Sequence, residues 1–107
     1  MYVIEINKSI IPYTFNIMLA GEEYEFGIGY NNMGNFFTVS LSKNGDELCA
    51  GEPVVYGIPL FRDLATRGGF PTITITPLDY SGETDTVTYD NLSRTVFLTV
   101  TGGEYGE

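Results

Sequence analysis

Apolar and polar residues alternate along much of the chain with a period of two, which places every second side chain on the same face of a β-strand. Three segments show the pattern most clearly, at 12–20, 23–30 and 36–42. Their apolar rows are Tyr13, Phe15, Ile17 and Leu19; Tyr24, Phe26, Ile28 and Tyr30; and Phe37, Val39 and Leu41. Each segment is therefore predicted to be a strand with one face turned to a core.

Short turns join these strands. Residues 20–22 leave room only for a tight antiparallel hairpin between the first two strands. Asn44-Gly45 is the dipeptide favoured by a type I′ turn, so 47–55 is predicted to return as the partner of the third strand. Gly51-Glu52-Pro53 interrupts that partner, which predicts a bulge or a sheet edge there.

The second half begins with a break in the alternation. Gly57, Pro59 and the pair Gly68-Gly69 punctuate 56–69, where 60–65 could form about one turn of helix. Alternation resumes at 72–76 and 95–100, both typical of half-buried strands.

These elements predict an all-β fold: a small antiparallel β-sandwich or partly open barrel of roughly six or seven strands, with at most one short helical turn. A chain of 107 residues without a composition break is expected to form one domain over 1–107. The tail 102–107 has no pattern that could bury it and is expected to be loose.

The N-terminal segment 1–10 begins with a short strand, in which Tyr2, Ile4 and Ile6 lie on one face and Val3 lies on the other. A terminal strand that is apolar on both sides must be covered on both sides. Its own fold can supply the cover, or a neighbouring chain can take the strand up by β-augmentation. The first alternative is preferred, and the second stays open.

Charge and cysteine content limit the partners and the compartment. The net charge is −9, and the five basic residues are scattered, which disfavours direct binding to nucleic acid. Cys49 is the single cysteine, so no internal disulfide can form, as expected for a protein made in a reducing cytoplasm. The N-terminus lacks the features of a signal peptide, and no apolar run approaches membrane-spanning length.

Candidate chemistry is sparse. The chain has no histidine, which removes the usual general base near neutral pH and the commonest metal ligand. Glu23 and Glu25 share a strand face without visible cleft residues beside them, so a glycosidase pair is not expected. The turn 79–85 could attract calcium but lacks the spacing of an EF-hand loop, and a solvated acidic turn is the preferred interpretation. No enzyme activity, cofactor or metal is predicted.

Aromatic residues are frequent, with eight tyrosines and seven phenylalanines. Those on the alternating apolar faces are expected to pack in the core. Four others fall out of register or in loops and are better candidates for a partner interface. These are Phe36, Phe61, Phe97 and Tyr105.

Three stretches carry a resemblance: 11–26 followed by Tyr30-Asn31, then 54–62, and finally 90–92. In this order they resemble the family of small phage proteins typified by the plug of a cyanophage contractile-tail baseplate. The likeness spans about 11–100 and leaves the N-terminal strand outside. The resemblance implies a virion component assembled in the host cytoplasm, with a compact β-fold and contacts to hub, tail-tube or other baseplate proteins.

The function expected from the resemblance is structural: a plug-like or hub-associated protein that acts through protein–protein contacts, with further copies of itself as another partner. The alternative is a carbohydrate- or receptor-binding β-sandwich on the tail, which the absence of tryptophan disfavours. The predicted partner interface consists of Tyr2, Ile4, Ile6, Phe36, Gly57, Pro59, Leu60, Phe61 and Arg62.

Overall fold

A computed structural model describes residues 2–19, 21–61 and 73–101. Within them, seven strands form two antiparallel sheets, and the helical content is a single 3-10 turn at Lys8–Ile10. The strands are β1 Tyr2–Ile4, β2 Tyr13–Leu19, β3 Glu22–Asn31, β4 Phe36–Lys43, β5 Asp46–Pro53, β6 Thr74–Leu78 and β7 Phe97–Thr101. The predicted all-β class is confirmed, as two sheets and not a closed barrel.

The larger sheet has the order β2-β3-β4-β5, and its core face consists of the predicted apolar rows. β2 and β3 pair without a register shift from Tyr13↔Ile28 to Leu19↔Glu22, as a two-residue hairpin requires. The centre of this face is fully covered, with Phe26, Phe37 and Leu41 buried. The period-two pattern is therefore confirmed for all three strands.

The turn chemistry is also confirmed. Asn44 and Gly45 both have positive φ, 54° and 83°, as a type I′ turn demands. β5 lies at the edge of its sheet, and its register against β4 shifts twice. One shift falls beside Gly51, whose φ of 65° is a conformation that suits glycine. The predicted irregularity is thus both an edge and a bulge.

The smaller sheet has the order β1-β7-β6 and closes the other side of the core. Ile75, Leu98 and Val100 are buried on its inner face, as the alternation predicts. β1 pairs with β7 of the same chain, from Tyr2↔Val100 to Ile4↔Leu98. The N-terminal strand therefore joins its own fold, in agreement with the preferred alternative.

Two predictions lie mostly or wholly beyond the described residues. Only Leu60 and Phe61 of the predicted helical turn at 60–65 are described, and both lie in a turn. The tail 102–107 is outside the described residues altogether.

Candidate docking surfaces

Five of the predicted interface residues lie in the segment 57–62, which we call the docking segment, and two of them, Leu60 and Phe61, belong to the core. The Leu60 N–H donates to the Ile75 carbonyl oxygen at 2.8 Å, which holds the segment against β6. Phe61 is 2% exposed, and its ring meets the Phe26 ring edge to face with centroids 6.0 Å apart. Leu60 is equally covered, so both are core residues in this fold, and their prediction as interface residues is corrected by their burial. Arg62 lies outside the described residues.

Three large apolar side chains within or near this segment are exposed, and none of them was among the predicted interface residues. Val55 is 50% exposed, Ile58 is 39% exposed and Tyr80 is 62% exposed. We call these three residues the loop surface. Gly57, which is exposed, and Pro59, which is half-buried, flank Ile58, and their place in a partner interface stays a prediction.

Two hydrogen bonds bring the parts of the loop surface together. The Gly57 N–H donates to the Pro77 carbonyl oxygen at 2.9 Å. The Asp79 N–H donates to the Tyr56 hydroxyl oxygen at 3.1 Å. The Ile58 N–H also donates to the Val55 carbonyl oxygen, which closes residues 55–58 into a turn. These residues are thus fixed against the end of β6, and Tyr80 comes two residues after that end. The surface is supported by rigid backbone contacts, as a docking site needs.

The N-terminal candidates are also buried. Ile4 and Ile6 belong to the core cluster, and the Ile6 N–H donates to Ser93 Oγ at 2.7 Å. These two residues cannot meet a partner in the folded chain, so their prediction as interface residues is corrected. Tyr2 is placed only through its backbone pairing with Val100.

Phe36 keeps an accessible position. It is half-buried at the start of β4, and its ring lies so close to Gly34 that a Cβ there would overlap it. Phe97 is half-buried in β7. Both remain candidates for contact, although neither adjoins the loop surface through a described contact.

A cleft of about 570 Å³ opens on another part of the molecule and was not foreseen from the sequence. Lys8 Nζ donates to the carbonyl oxygens of Tyr89 and Asp90, at 2.5 and 3.1 Å, and lies 5.4 Å from the centre of the Tyr89 ring. Tyr89 stacks on Phe37 and meets Tyr30 edge to face. The residues that line the cleft include Lys8, Pro12, Tyr30, Asn31, Asn32 and Tyr89.

The acidic turn at 79–85 is organised around one carboxylate. Asp79 is only 5% exposed. One of its oxygens accepts from the backbone N–H and hydroxyl of Ser81, and the other from the same groups of Thr84. The interpretation of a solvated turn is therefore corrected at this residue, because protein donors surround both oxygens. Among the described residues, no three acidic or cysteine side chains are grouped as a metal site would need.

These donors make stability depend on pH. The hydrogen bonds from Ser81, and then those from Thr84, lower the pKa of Asp79 from 3.8 to about 2. A carboxyl with a depressed folded pKa stabilises the fold above its unfolded pKa and loses this effect as the pH falls through the folded value. We therefore expect Asp79 to contribute stability above about pH 4 and to lose it progressively between pH 4 and pH 2.

Thermal denaturation at a series of pH values tests this expectation. Asp79→Asn should melt at a lower temperature than the parent at pH 7 and should lose less stability than the parent between pH 4 and pH 2. Asp85→Asn, at an exposed position of the same turn, is the control and should follow the parent. Parallel curves for the parent and Asp79→Asn would show that the carboxylate is not the source of the acid sensitivity.

The carboxylate pair at Glu23 and Glu25 lies on the outer face of β3. Both residues line a depression of about 210 Å³ together with Asn16 and Ser42. Among the residues that the structure describes, no helix has the length and apolar character needed to span a bilayer.

The chain matches a known protein family over nearly its whole length. The model of a family described as cyanophage baseplate Pam3 plug gp18 matches residues 1–103. The match includes β1, which the resemblance seen in the sequence had left outside, so that boundary is corrected. A search of curated proteins found no match.

Proposed function

We propose that this chain, which belongs to the cyanophage baseplate plug family, is a structural protein of a phage tail baseplate. It works by binding neighbouring baseplate, hub or tube proteins. The family supports a place in the virion tail and a structural role. Contact as the mode of action, and assembly in the host cytoplasm, are parts of the proposal.

The loop surface is the observation that carries the contact mechanism. The core is closed by its own two sheets, so apolar side chains that remain exposed on rigid backbone are not needed for folding. The buried centres of partner interfaces are more apolar than the rest of the surface and are enriched in aromatic residues, and the loop surface offers Tyr80 together with Ile58 and Val55. We therefore infer that the loop surface meets a neighbouring tail protein.

Photo-crosslinking in assembled tails tests the contact. A photoreactive phenylalanine analogue in place of Tyr80 should give an adduct with a second tail protein. The same analogue in place of Met33, which is 97% exposed in a turn that contains no residue of the loop surface, should give none. Adducts of equal yield at both positions, or at neither, would refute a specific contact at the loop surface.

A second candidate function, recognition of a receptor or carbohydrate at the tail, is favoured by the cleft alone. Tyr30 and Tyr89 provide aromatic faces, and Asn31 and Asn32 provide amide groups of the kind that bind sugar hydroxyls. Titration with host surface glycans, followed by tyrosine fluorescence, distinguishes the two functions. Saturable binding that Tyr89→Ala abolishes would support recognition, and its absence would leave the structural role.

A further inference from the structure

The cleft at Lys8 and Tyr89 differs in charge from the chain as a whole. Asp and Glu outnumber Lys and Arg by 14 to 5, yet no carboxylate is found among the described residues that line the cleft. Lys8 is the one charged residue of that lining. Asp90 meets Lys8 through its backbone carbonyl, but its side chain does not line the cleft. The cleft is therefore a positively charged site on an acidic protein.

The ammonium group of Lys8 has no carboxylate partner within the part of the chain that the structure describes. Its hydrogen bonds go to the backbone carbonyl oxygens of Tyr89 and Asp90, which carry no formal charge. Lys43, by contrast, pairs with the carboxylate of Glu22. An ammonium group has three N–H donors, so Lys8 retains one for a ligand. Its positive charge is likewise available to an anion.

Local contacts hold Lys8 in place. It begins the 3-10 turn Lys8–Ile10, and the Asn7 side chain caps this turn by accepting from the Ser9 N–H at 3.1 Å. The Asn7 N–H donates to the Tyr13 hydroxyl oxygen at 3.0 Å, which ties the turn to β2. Because a cation that is already positioned loses less conformational entropy on binding, these contacts favour recognition of a ligand at this point.

The cleft also offers uncharged donors and aromatic surface. Asn31 Oδ1 accepts from the backbone N–H groups of Met33 and Gly34, at 2.9 Å each, which leaves its Nδ2 amide group to donate to a ligand. Asn32, the next residue in the lining, is exposed. Tyr89 is 46% exposed and contributes ring surface. Amide groups suit the hydroxyls of a sugar, and aromatic rings suit its apolar faces.

The cleft has room for a small ligand. Its volume of about 570 Å³ falls within the roughly 300–1,000 Å³ of sites that bind small molecules. Gly29 lines the cleft, and a Cβ at this position would lie 3.0 Å from Thr38 Oγ1. The absence of a side chain at Gly29 therefore keeps this part of the cleft open.

We propose that the cleft binds a saccharide that carries a carboxylate, a uronic acid, with the carboxylate at Lys8 and hydroxyl groups at Asn31 and Asn32. The inference rests on the recognition function given above as the second candidate, and it names the class of saccharide. A neutral sugar would leave the charge of Lys8 unpaired. A charge-assisted hydrogen bond from an ammonium group to a carboxylate is stronger than one to a neutral hydroxyl.

The net charge of −9 opposes binding of an anion only weakly at physiological salt. Glu25 lies four residues from Gly29 on β3, or about 13 Å at the rise of a β-strand. That distance exceeds the Debye length of about 8 Å at physiological ionic strength. Asp90 is nearer to Lys8, but it is exposed to water, which weakens its repulsion of a bound carboxylate.

Two probes with the same sugar rings and different charge test the proposal. They are the disaccharide of galacturonic acid and its methyl ester, in which the carboxylates are esterified. Backbone amide shifts, followed by NMR, suit a chain of 11.8 kDa. The acid should produce saturable shifts at Asn31, Asn32 and Tyr89. The ester should bind about fivefold more weakly, as expected for the loss of one partly exposed charge pair.

Lys8→Met and Lys43→Met form a matched pair of variants, since each removes one positive charge. Lys8→Met should lower the affinity for the acid about fivefold and leave the affinity for the ester unchanged. Lys43 pairs with Glu22 and does not line the cleft, so Lys43→Met should bind the acid like the parent. An equal loss of affinity in both variants would show a general effect of charge and would overturn the role of Lys8.

The comparison of the acid with the ester uses the parent protein, so it decides the question even if Lys8→Met fails to fold. Equal affinity for the two probes would overturn the inference while the recognition function stands. The absence of saturable shifts with the acid, the ester and host surface glycans would overturn both. A triglutamate peptide that binds at the same amides as tightly as the acid would show a site for acidic protein segments, which would also overturn the inference.

Discussion

Phe61→Ala should lower the free energy of unfolding by about 3–5 kcal/mol, the range found when a buried phenylalanine is truncated. Phe61 is buried against Phe26, so removing its ring leaves a cavity in the core between the sheets. For a domain of this size, each kcal/mol lowers the melting temperature by roughly 4–8 °C. Equilibrium denaturation by urea, with the midpoint and the slope both fitted, measures the loss.

Phe61→Leu and Val55→Ala are the controls for this substitution. Leucine retains much of the buried volume and should cost clearly less than alanine. Val55 is half exposed at the neighbouring loop surface, so Val55→Ala should change stability by no more than about 1 kcal/mol. If Phe61→Ala unfolds at the same urea concentration as the parent, the ring is not a core residue, and Phe61 returns as a candidate for the partner interface.

Ile58→Asp should exclude the chain from assembled tails while leaving its melting temperature close to that of the parent. Ile58 is exposed enough for a carboxylate to stay hydrated in the free protein. In a docked loop surface the same carboxylate would be buried without a partner, at a cost of several kcal/mol. A difference of that size reduces binding by two or more orders of magnitude.

Competitive incorporation measures this effect. The variant and a tagged parent are produced together during tail assembly, and their ratio in purified tails is compared with their ratio in the lysate. Met33→Asp, which places the same charge in an exposed loop, should be incorporated like the parent. Equal incorporation of Ile58→Asp and the parent would contradict docking through the loop surface.

The β-strands could be predicted because each one carries its own signal. An apolar row with a period of two requires only neighbours along the chain, as in Phe37, Val39 and Leu41. The Asn44-Gly45 turn is equally local, since both residues tolerate positive φ. The sequence-based prediction agrees with the structure where the conformation depends only on residues within the strand and its turn.

The docking segment could not be predicted in this way. Gly57 and Pro59 break the periodicity, so burial at Leu60 and Phe61 depends on hydrogen bonds to β6 and on the distant Phe26 ring. Phe61 also has a φ of 60°, which a bulky residue adopts only when its surroundings hold it there. The same tertiary contacts leave Val55 and Ile58 outside.

The structural role of Asp79 had a local signal that was available in the sequence. An aspartate commonly accepts from the backbone N–H two residues later, and Ser81 and Thr84 offer hydroxyl donors at short range. The cleft at Lys8 and Tyr89 had no such signal, because these two residues lie 81 positions apart in the sequence and meet only in the folded chain.

A structural place in the tail baseplate is tested most directly by quantitative mass spectrometry of purified tail particles. The particles come from the phage or prophage that encodes this chain, and its copy number is measured against that of the tube protein. A structural baseplate protein should be present at a fixed number of a few copies per tail. Tails that lack the chain, or that contain it only in trace and variable amounts, would contradict a structural place in the baseplate.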